Sequence, residues 1–553
     1  MINLTTNPFF LDKEAIAWVK STLASMTTAQ KAGQVFCPMG FTDDSHVLSH
    51  RLVDIGVGGM MYRPDSAAKT QQTHRTIQHM APIPLLLAAN TECGGNGLAF
   101  EGTSFGQPMA VSAAQDPEYA YRMGYTACAE GAAMGLNWSF APIVDINMDF
   151  HNPITNVRTF GSDPEQVLCC ASAYLRGAKE NHVAVAIKHF PGDGVDERDQ
   201  HIVTSVNSLD AEQWDKTYGY VYQNLIDQGA QTVMAGHIAL PCYASKEERF
   251  LPASLAKSLL TGLLREKLGF NGLISTDATP MVGFTAAMPR SKAIPTAIAA
   301  GADMILFNKD LDEDYRFLLD GIDSGIVTLE RLDEAVTRIL ATKAALGLHR
   351  KKELVPGVEA LNVVGCERHR RWARETADKA ITLVKDTQNL LPLSPDKTPR
   401  IYLNVIQKDT DPDNPVVRAW KALFEREGFH VTVRDRRVTV TVQDMGDLAA
   451  MSPEKKALMH EMYRSVEEAR KSTDLYVYIC NMENASNNTT LRLNWNVTFG
   501  LGDDAPWFVS EIPALMISTA YPYHLFDAPM VKTYINAYSG NEYYREAVME
   551  KLM

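Results

Sequence analysis

Cysteine, long apolar runs and positive charge are all scarce in this sequence. Eight cysteines among 553 residues are too few for a disulfide framework, and none stands in the Cys-x-x-Cys spacing of many metal and redox sites. The most apolar stretch, 293–307, contains Asp303 and is too short to span a bilayer. The first residues, MINLTTNPFFLDKE, lack the basic head and apolar run of a secretory signal. We therefore expect reduced cysteines packed as small apolar side chains, no membrane association and a cytoplasmic location.

The charge balance argues against several classes of partner. Lys and Arg total 53 against 66 Asp and Glu, a net charge of −13 at pH 7, whereas nucleic-acid binders and proteins attracted to anionic membranes need a positive surface. Apolar residues make up 46% and charged residues 22% of the chain, which is ordinary for a globular protein and excludes a disordered one. The motifs predict no cofactor and no bound metal, and no nucleic-acid partner is expected.

What the sequence does contain is a regular alternation of short apolar runs and longer amphipathic segments over its first 350 residues. The apolar runs predict strands at 33–38, 58–62, 84–90, 137–144, 184–189, 232–237, 273–277 and 304–308. Nearly continuous apolar strands separated by helices are typical of a parallel sheet that is covered on both faces. Eight such units favour a (β/α)8 barrel over the alternative, a doubly wound open sheet.

Chain length and a change of pattern predict a second domain. A chain of 553 residues is too long for one compact core. Residues 351–370 lose the periodicity and are interpreted as a linker, and alternating strand and helix patterns resume over 371–553. We expect an α/β fold, with an N-terminal TIM-type barrel at 1–350 that carries the catalytic groups and a smaller, sandwich-like α/β domain after the linker.

Polar side chains collect where the predicted barrel strands end. These residues are Asn90, Lys188, His189, His237, Asp277 and Asn308. TIM barrels place their catalytic groups at the carboxyl ends of the strands, so these side chains are candidates for binding and catalysis. Asn90 opens a glycine-rich loop, but the loop lacks the spacing of a phosphate-binding motif. For His237, the alternative is a hydrogen-bonded histidine of the core.

The densest group of candidate side chains is the segment 188–201, KHFPGDGVDERDQH. Its Pro-Gly and Asp-Gly pairs predict sharp turns. Asp199 and His201 are two residues apart, so both project from one side of an extended backbone. A carboxylate beside an imidazole fixes its tautomer and raises its pKa, which makes it a proton donor near neutral pH. The alternative is a solvated surface loop, which Lys188 and His189 directly before the loop disfavour.

Two further residues are candidates on chemical grounds. Asp277 ends the apolar strand LISTD, and Asp is depleted in strands and costly when buried alone. It is therefore a nucleophile, a metal ligand or the partner of a structural cation. Arg158, in NPITNVRTFG, is either a donor of forked hydrogen bonds to a ligand or an ordinary loop arginine.

In combination, these segments resemble glycoside hydrolase family 3, and within it the bacterial β-N-acetylglucosaminidase branch. Residues 188–201 resemble that branch's KHFPGHG-x-T-x-x-D-S-H signature, with Asp193, Asp196 and Gln200 as departures. Further segments that resemble motifs of the family are 140–145 (FAPIVD), 152–161, 233–241, 251–254, 260–277 and 385–393. No one motif is sufficient, but their combination is specific and covers most of 22–395.

The resemblance implies a retaining, two-step mechanism. Asp277 would be the nucleophile that forms a glycosyl-enzyme, and His201, oriented by Asp199, would be the general acid and base. The residues that would bind the sugar are Lys188, His189, Arg158, Asn90 and His237. The implied activity is exo-acting hydrolysis of terminal β-linked N-acetylglucosamine, or another N-acetylhexosamine, from cell-wall fragments or chitooligosaccharides.

One departure from the family pattern concerns sugar recognition. The branch usually has D-x-EGG-x-V-x-R after its third strand, whereas here Asn90 replaces the Asp, Cys93 replaces a Gly and the matching Arg is absent. Asn lacks the charge that strengthens hydrogen bonds to hydroxyls, so a β-glycosidase of the same family with another sugar preference is an alternative.

Three other functions stay open at this point. An imidazole acid–base pair also tolerates an anionic acceptor, which makes a glycoside phosphorylase of the same family an alternative to a hydrolase. The strand-end residues also suit a metal-dependent barrel hydrolase, although no close His and Asp set has metal-binding spacing. The altered Asn90 loop motivates the last alternative, a sugar-binding protein without turnover.

Overall fold

The structure is a computed structural model that describes residues 2–42, 44–482, 486–487, 489–493, 495 and 505–553. The chain forms two units: Met1–Ala373 with the short segment Ala485–Thr489, and Arg374–Asn484 with Thr490–Met553. Residues 351–370, predicted as a linker, lie inside the first unit. They contain a six-residue 3₁₀ helix, Val358–Val363, which is too short to produce a long periodic pattern in the sequence.

The first unit contains a parallel sheet. The strands of this unit are β1 (Phe36–Cys37), β2 (Met39–Gly40), β3 (Gly59–Tyr62), β4 (Leu86–Ala89), β5 (Trp138–Ser139), β6 (Ala184–Phe190), β7 (Ser205–Val206), β8 (Thr232–Ala235), β9 (Ile238–Ala239), β10 (Leu273–Ala278) and β11 (Met304–Leu306). In the described residues, nine strands form the sheet in the order β1-β11-β10-β8-β6-β5-β4-β3-β2, and β7 pairs with β9.

The two ends of this sheet meet within one short segment of chain. β1 pairs with β11 and β2 pairs with β3, both in parallel, and Pro38 alone separates β1 from β2. The sheet is therefore a nearly closed barrel. The predicted barrel architecture is confirmed, with one strand more than expected because the first strand is divided at Pro38, whose ring nitrogen has no hydrogen to donate.

Helices precede, connect and follow the barrel strands. They are α1 (Lys13–Ser25), α2 (Thr28–Gln34), α3 (Ser45–Ser49), α4 (Ala67–Met80), α5 (Pro108–Ala113), α6 (Pro117–Ala133), α7 (Pro164–Glu180), α8 (Ala211–Trp214), α9 (Tyr220–Asp227), α10 (Val282–Thr285), α11 (Arg290–Ala300), α12 (Leu311–Asp323) and α13 (Leu329–Ala345). Segments of π-helix lie at His50–Ile55, Asp215–Gly219 and Ser258–Lys267, and 3₁₀ turns at Gly95–Gly97, Asn156–Arg158 and Ala253–Leu255. Within the described ranges, no helix is both long and apolar enough to cross a bilayer.

Local sequence signals set where these helices begin. Asp163 caps α7 by accepting a hydrogen bond from the backbone N–H of Glu165, and Pro164 occupies the first helical position, where its missing N–H costs nothing. The apolar faces pack on the barrel, whose interior includes Trp138 and Phe140 in edge-to-face contact at 4.7 Å between ring centroids. The barrel thus presents its strand ends on a rigid support.

The second unit contains a mixed sheet. Its strands are β12 (Thr382–Asp386), β13 (Arg400–Ile406), β14 (His430–Val433), β15 (Leu475–Cys480), β16 (Ala514–Ser518) and β17 (Thr533–Asn536), in the order β12-β17-β16-β15-β13-β14. β12 runs antiparallel to β17, and the other pairs are parallel. The remaining helices are α14 (Glu367–Ala380), in which the boundary between the units falls, α15 (Pro415–Arg426), α16 (Val442–Gly446), α17 (Pro453–Tyr463), α18 (Val466–Ser472) and α19 (Glu542–Leu552).

Both faces of this second sheet are covered. Along β15, Leu475, Val477 and Ile479 belong to one apolar cluster, and the alternate residues Tyr476 and Tyr478 belong to another. Since successive side chains of a strand point to opposite faces, the sheet lies between two apolar layers. The predicted α/β character of this domain is confirmed.

Candidate active site

Asp277 lies at the carboxyl end of β10. Its Oδ1 accepts a hydrogen bond from the backbone N–H of Ala278 at 2.7 Å, and its Oδ2 lies 3.9 Å from Nε2 of His189. Burial opposes ionisation of Asp277, but the nearby imidazoles of His189, His237 and His201 outweigh burial and lower the pKa of this carboxyl. At neutral pH, Asp277 is therefore an anion with the charge that a nucleophile needs.

His189 is oriented by a second carboxylate. Its Nδ1 lies 2.7 Å from Oδ2 of Asp145, and its backbone N–H donates to Oδ1 of Asp145 at 3.0 Å. Asp145 also accepts from the backbone N–H of Asp193 at 2.8 Å and is fully buried. Because a carboxylate accepts at Nδ1, this ring directs Nε2 toward Asp277. Asp145 ends the FAPIVD segment, and an apolar run that ends in Asp was the same signal that selected Asp277.

Glu92 joins three of the predicted sugar-binding residues. Its Oε1 lies 2.6 Å from Nζ of Lys188, and its two oxygens accept from Arg158 at 2.9 and 3.0 Å. Lys188 also donates to Oδ1 of Asn90 at 3.3 Å. Burial raises the pKa of Glu92, but Arg158 and Lys188 outweigh it and hold the pKa well below its usual range. Sequence reasoning gave Glu92 no role, although it stands two residues after Asn90.

The predicted acid–base pair is formed. Nδ1 of His201 lies 2.6 Å from Oδ1 of Asp199, and Asp199 is buried while His201 is partly exposed. Burial raises the pKa of Asp199, but the hydrogen bond and charge of His201 outweigh it and lower the pKa. The backbone here is a turn, since the N–H of His201 also donates to Oδ1 of Asp199 at 2.8 Å. The expectation of an extended backbone is therefore wrong, because an Asx-type turn brings the two side chains together.

His201 and Asp199 make further contacts within the first unit. Oγ of Ser486 lies 3.0 Å from Nε2 of His201. The backbone N–H of Asn487 donates to Oδ2 of Asp199 at 2.7 Å. The carbonyl of His201 accepts from the N–H of Val282 at 2.9 Å, which links the loop to the segment that follows Asp277.

Two glycines fix the turn at the start of this loop. Gly192 and Gly194 have φ values of +120° and +101°, which side-chain-bearing residues rarely adopt. An added Cβ would lie 2.1 Å from the Tyr218 ring at Gly192 and 2.1 Å from the carbonyl oxygen of Ile146 at Gly194. The hydroxyl of Tyr218 donates to the carbonyl of Asp193 at 2.6 Å. This packing holds the loop that leads to Asp199 and His201.

His237 has the hydrogen-bonding pattern of a core histidine, which was the alternative for this residue. Its Nε2 lies 2.9 Å from the carbonyl oxygen of Ala278, so that nitrogen donates, and its Nδ1 lies 2.8 Å from Oγ of Ser254. Burial lowers the pKa of His237. Both ring nitrogens therefore bind protein groups, and His237 holds the residue next to Asp277 rather than offering a nitrogen to a sugar.

A possible set of metal ligands lies beside these loops in the described part of the chain. Asp149, His151 and Glu197 place ligand atoms within 4.8 Å of one another, and Nδ1 of His151 already bonds Oδ1 of Asp149 at 2.7 Å. Asp149 is half-buried, and His151 and Glu197 are exposed. The set does not include Asp277 or His189.

A comparison with known protein families matches the part of the chain that forms the barrel. The description of the matching family is glycosyl hydrolase family 3, N-terminal domain, over residues 27–342. The chain belongs to glycosyl hydrolase family 3. The resemblance drawn from the sequence motifs is thereby confirmed, and so is the expectation that the protein is a glycoside hydrolase-type enzyme.

Relatives within and around family 3 carry several activities in their names. A beta-N-acetylglucosaminidase/beta-glucosidase from Cellulomonas fimi is 40% identical over 100% of this chain and 96% of its own length. The solved structure of the beta-glucoside phosphorylase BglX bound to 2FGlc is 43% identical, covers 100% of this chain and 96% of its own, and superposes with a TM-score of 0.91. A family 3 beta-N-acetylglucosaminidase from Paenibacillus sp. str. FPU-7, at 24% identity over 96% and 97% of the two chains and a TM-score of 0.77, shares the fold.

Proposed function

We propose that this family 3 enzyme cleaves terminal β-linked glucose or N-acetylglucosamine from glycosides with retention of configuration. The observation that carries the proposal is the presence of two separate groups, an anionic carboxylate and an imidazole paired with a carboxylate. Asp277 is an anion held near His189, and His201 is paired with Asp199 through Nδ1. A nucleophile and a separate acid–base group are the two parts that a retaining glycosidase requires.

In the first step, Oδ2 of Asp277 attacks the anomeric carbon and the glycosidic C–O bond breaks. Nε2 of the His201 imidazolium gives its proton to the leaving oxygen, while Asp199 keeps Nδ1 protonated. The products are a free alcohol and a glycosyl ester of Asp277. In the second step, water attacks the anomeric carbon, the ester bond breaks, the carboxylate of Asp277 is restored and Nε2 takes the proton of the water.

The Glu92 cluster supports recognition of sugar hydroxyls. Lys188 and Arg158 are fixed by Glu92, so their remaining N–H groups have defined directions. Charged donors make strong hydrogen bonds to neutral hydroxyls. Asn90 has an amide in place of the Asp of the N-acetylglucosaminidase branch. The names of two relatives that match the whole of this chain cover both glucosides and N-acetylglucosaminides. We therefore propose that both sugars are accepted.

Phosphorolysis is a second candidate function. After the first step, His201 is neutral, whereas a carboxylate base would be an anion that repels phosphate. Hydrogen phosphate can then attack the anomeric carbon and return its proton to Nε2, which releases a glycosyl phosphate and frees Asp277. The 43% identity to a structure named as a beta-glucoside phosphorylase supports this alternative to hydrolysis.

A panel of aryl β-glycosides tests both functions. The parent and Asp277→Asn are assayed on the glucoside, N-acetylglucosaminide, N-acetylgalactosaminide and xyloside, each with and without inorganic phosphate, and products are followed by NMR. We expect turnover of the first two sugars by the parent, loss of turnover in the variant and a first product of β configuration. Formation of a sugar phosphate with a rate that rises with phosphate assigns phosphorolysis. A first product of α configuration contradicts the retaining mechanism.

A further inference from the structure

We propose that Ser486 and Asn487 are positioning residues for the acid–base pair, which they hold in the orientation that proton transfer to the leaving oxygen requires. The inference rests on the proposed roles of His201 and Asp199. It concerns two consecutive residues that stand almost 300 positions later in the sequence and that no motif of the barrel includes.

Ser486 contacts His201, and Asn487 contacts Asp199. The Ser486 hydroxyl lies 3.0 Å from Nε2 of His201, and the Asn487 backbone N–H donates to Oδ2 of Asp199 at 2.7 Å. Both distances lie in the range of good hydrogen bonds. One short segment therefore binds the imidazole and the carboxylate at the same time.

Nε2 is the ring nitrogen through which His201 can act. Nδ1 is committed to Asp199 at 2.6 Å, so a proton passes to the leaving oxygen only from Nε2. A general acid lies about 2.6–3.2 Å from the oxygen that it protonates, and the Ser486 oxygen already lies at such a distance. A hydroxyl both donates and accepts, so Ser486 can bond the neutral and the protonated ring. It thus keeps the ring in the orientation in which Nε2 faces the leaving oxygen of a glycoside.

Asn487 completes the binding of Asp199. The oxygen Oδ1 of Asp199 binds His201, and Oδ2 receives the Asn487 N–H, so the carboxylate is held at both ends and cannot rotate away from the ring. The N–H reaches Oδ2 because Asn487 has φ of +67°, a left-handed conformation that Asn and Gly adopt readily and β-branched residues avoid.

Two pairs of variants test this inference, one pair that differs in the hydroxyl at position 486 and one that differs in the backbone preference at position 487. Ser486→Ala removes the hydroxyl and Ser486→Thr keeps it; Asn487→Val disfavours the left-handed backbone and Asn487→Gly permits it. Each variant is assayed on two glucosides, one with a good aryl leaving group that needs no proton and one with an alkyl leaving group that needs one. Thr489→Ala, at an exposed position of the same segment, is the matched control.

We expect Ser486→Ala and Asn487→Val each to lower kcat/KM for the alkyl glucoside by about tenfold, a fraction of the 10²–10⁴-fold that a general acid contributes. The value of kcat/KM for the aryl glucoside, which reports the first step alone, should equal that of the parent. Ser486→Thr, Asn487→Gly and Thr489→Ala should have the kcat/KM of the parent on both glucosides. Equal losses on the two glucosides, or no loss on the alkyl glucoside, overturn the inference.

His201→Asn separates this inference from the proposed function. If His201→Asn shows the selective loss on the alkyl glucoside and the Ser486 and Asn487 variants do not, the positioning role alone is wrong. If His201→Asn also lacks the selective loss, the assignment of His201 as the acid fails, and the positioning role fails with it.

Discussion

Nε2 of His189 lies 3.9 Å from Oδ2 of Asp277, a separation beyond normal hydrogen-bonding distance. His189 therefore lies beside this oxygen without donating a hydrogen bond to it. The other carboxylate oxygen binds the Ala278 N–H, and Asp145 holds the far side of the imidazole. This arrangement lowers the pKa of Asp277 and orients a reactive oxygen without tying it to a donor.

The first prediction concerns the His201–Asp199 pair. His201→Asn should lower kcat/KM by about 10²–10⁴-fold for glycosides with alkyl leaving groups, because these groups depart only when protonated. Glycosides with good aryl leaving groups should lose far less in the first step. The measurement is kcat/KM against the pKa of the leaving group. His46→Asn, which changes an exposed histidine of α3, is the control, and a loss that does not depend on the leaving group would contradict the assigned role.

The second prediction concerns Glu92. Glu92→Gln leaves the cations of Lys188 and Arg158 without their shared carboxylate, and the Lys188 side chain is only 3% exposed. Removing one partner of a buried ion pair costs about 3–5 kcal/mol, so the free energy of unfolding should fall by roughly that amount. KM should rise as well, because the donors of the sugar site lose their fixed directions. Urea denaturation and steady-state kinetics measure the two effects.

A matched control for Glu92 lies on the surface of the same unit. Glu118 pairs with Arg122 at 3.2 Å, and its side chain is 43% exposed. Since exposed pairs contribute about 0–1 kcal/mol, Glu118→Gln should change stability little. If Glu92→Gln is as stable as Glu118→Gln, the Glu92 cluster does not have the structural importance assigned to it.

The third prediction concerns acid stability and His74 of α4. His74 is fully buried, its Nδ1 lies 2.8 Å from the carbonyl of Met134, and burial lowers its pKa to about 4. Above pH of about 6.5 the ring is neutral in both states. Below that value the unfolded chain binds a proton that the folded protein does not. The free energy of unfolding should therefore fall by up to about 1.4 kcal/mol per pH unit between roughly 6.5 and 4.

Urea midpoints at a series of pH values check this dependence. His74→Gln removes the titrating group and should make the fall in stability below pH of about 6.5 shallower than in the parent. His46→Gln, at an exposed position, should keep the slope of the parent. Equal slopes in His74→Gln and the parent would mean that His74 does not contribute to acid sensitivity.

The barrel and its strand-end residues could be predicted from the sequence because each strand, with the polar residue at its end, is recognised from a few consecutive positions. A short strand-like run that ends in a charged group, as before Lys188 or Asp277, indicates a buried strand and its carboxyl end. The Asp199–His201 pair is also local, since its members stand only two positions apart. The wrong backbone geometry there did not matter, because a turn and an extended segment both place the side chains together.

Long-range partners could not be predicted in this way. Glu92 lies 66 residues from Arg158 and 96 from Lys188, and Ser486 lies 285 residues from His201. No periodicity connects such positions, and a lone Glu or Ser has a surface loop as its ordinary environment. For His237 the sequence pattern is present but fits two roles, because a core histidine and a ligand-binding histidine follow an apolar strand in the same way. Only the partners Ser254 and Ala278 distinguish them.

The central claim, that Asp277 is the nucleophile, is tested most directly by trapping the intermediate. An activated 2-deoxy-2-fluoro-β-glucoside has a good leaving group but a slow second step, so the glycosyl-enzyme should accumulate. Peptide mass mapping after digestion should place one fluoroglucosyl group on the peptide that contains Asp277, with no label in Asp277→Asn. A label on another carboxylate, or turnover of ordinary substrates by Asp277→Asn at the rate of the parent, would contradict the account.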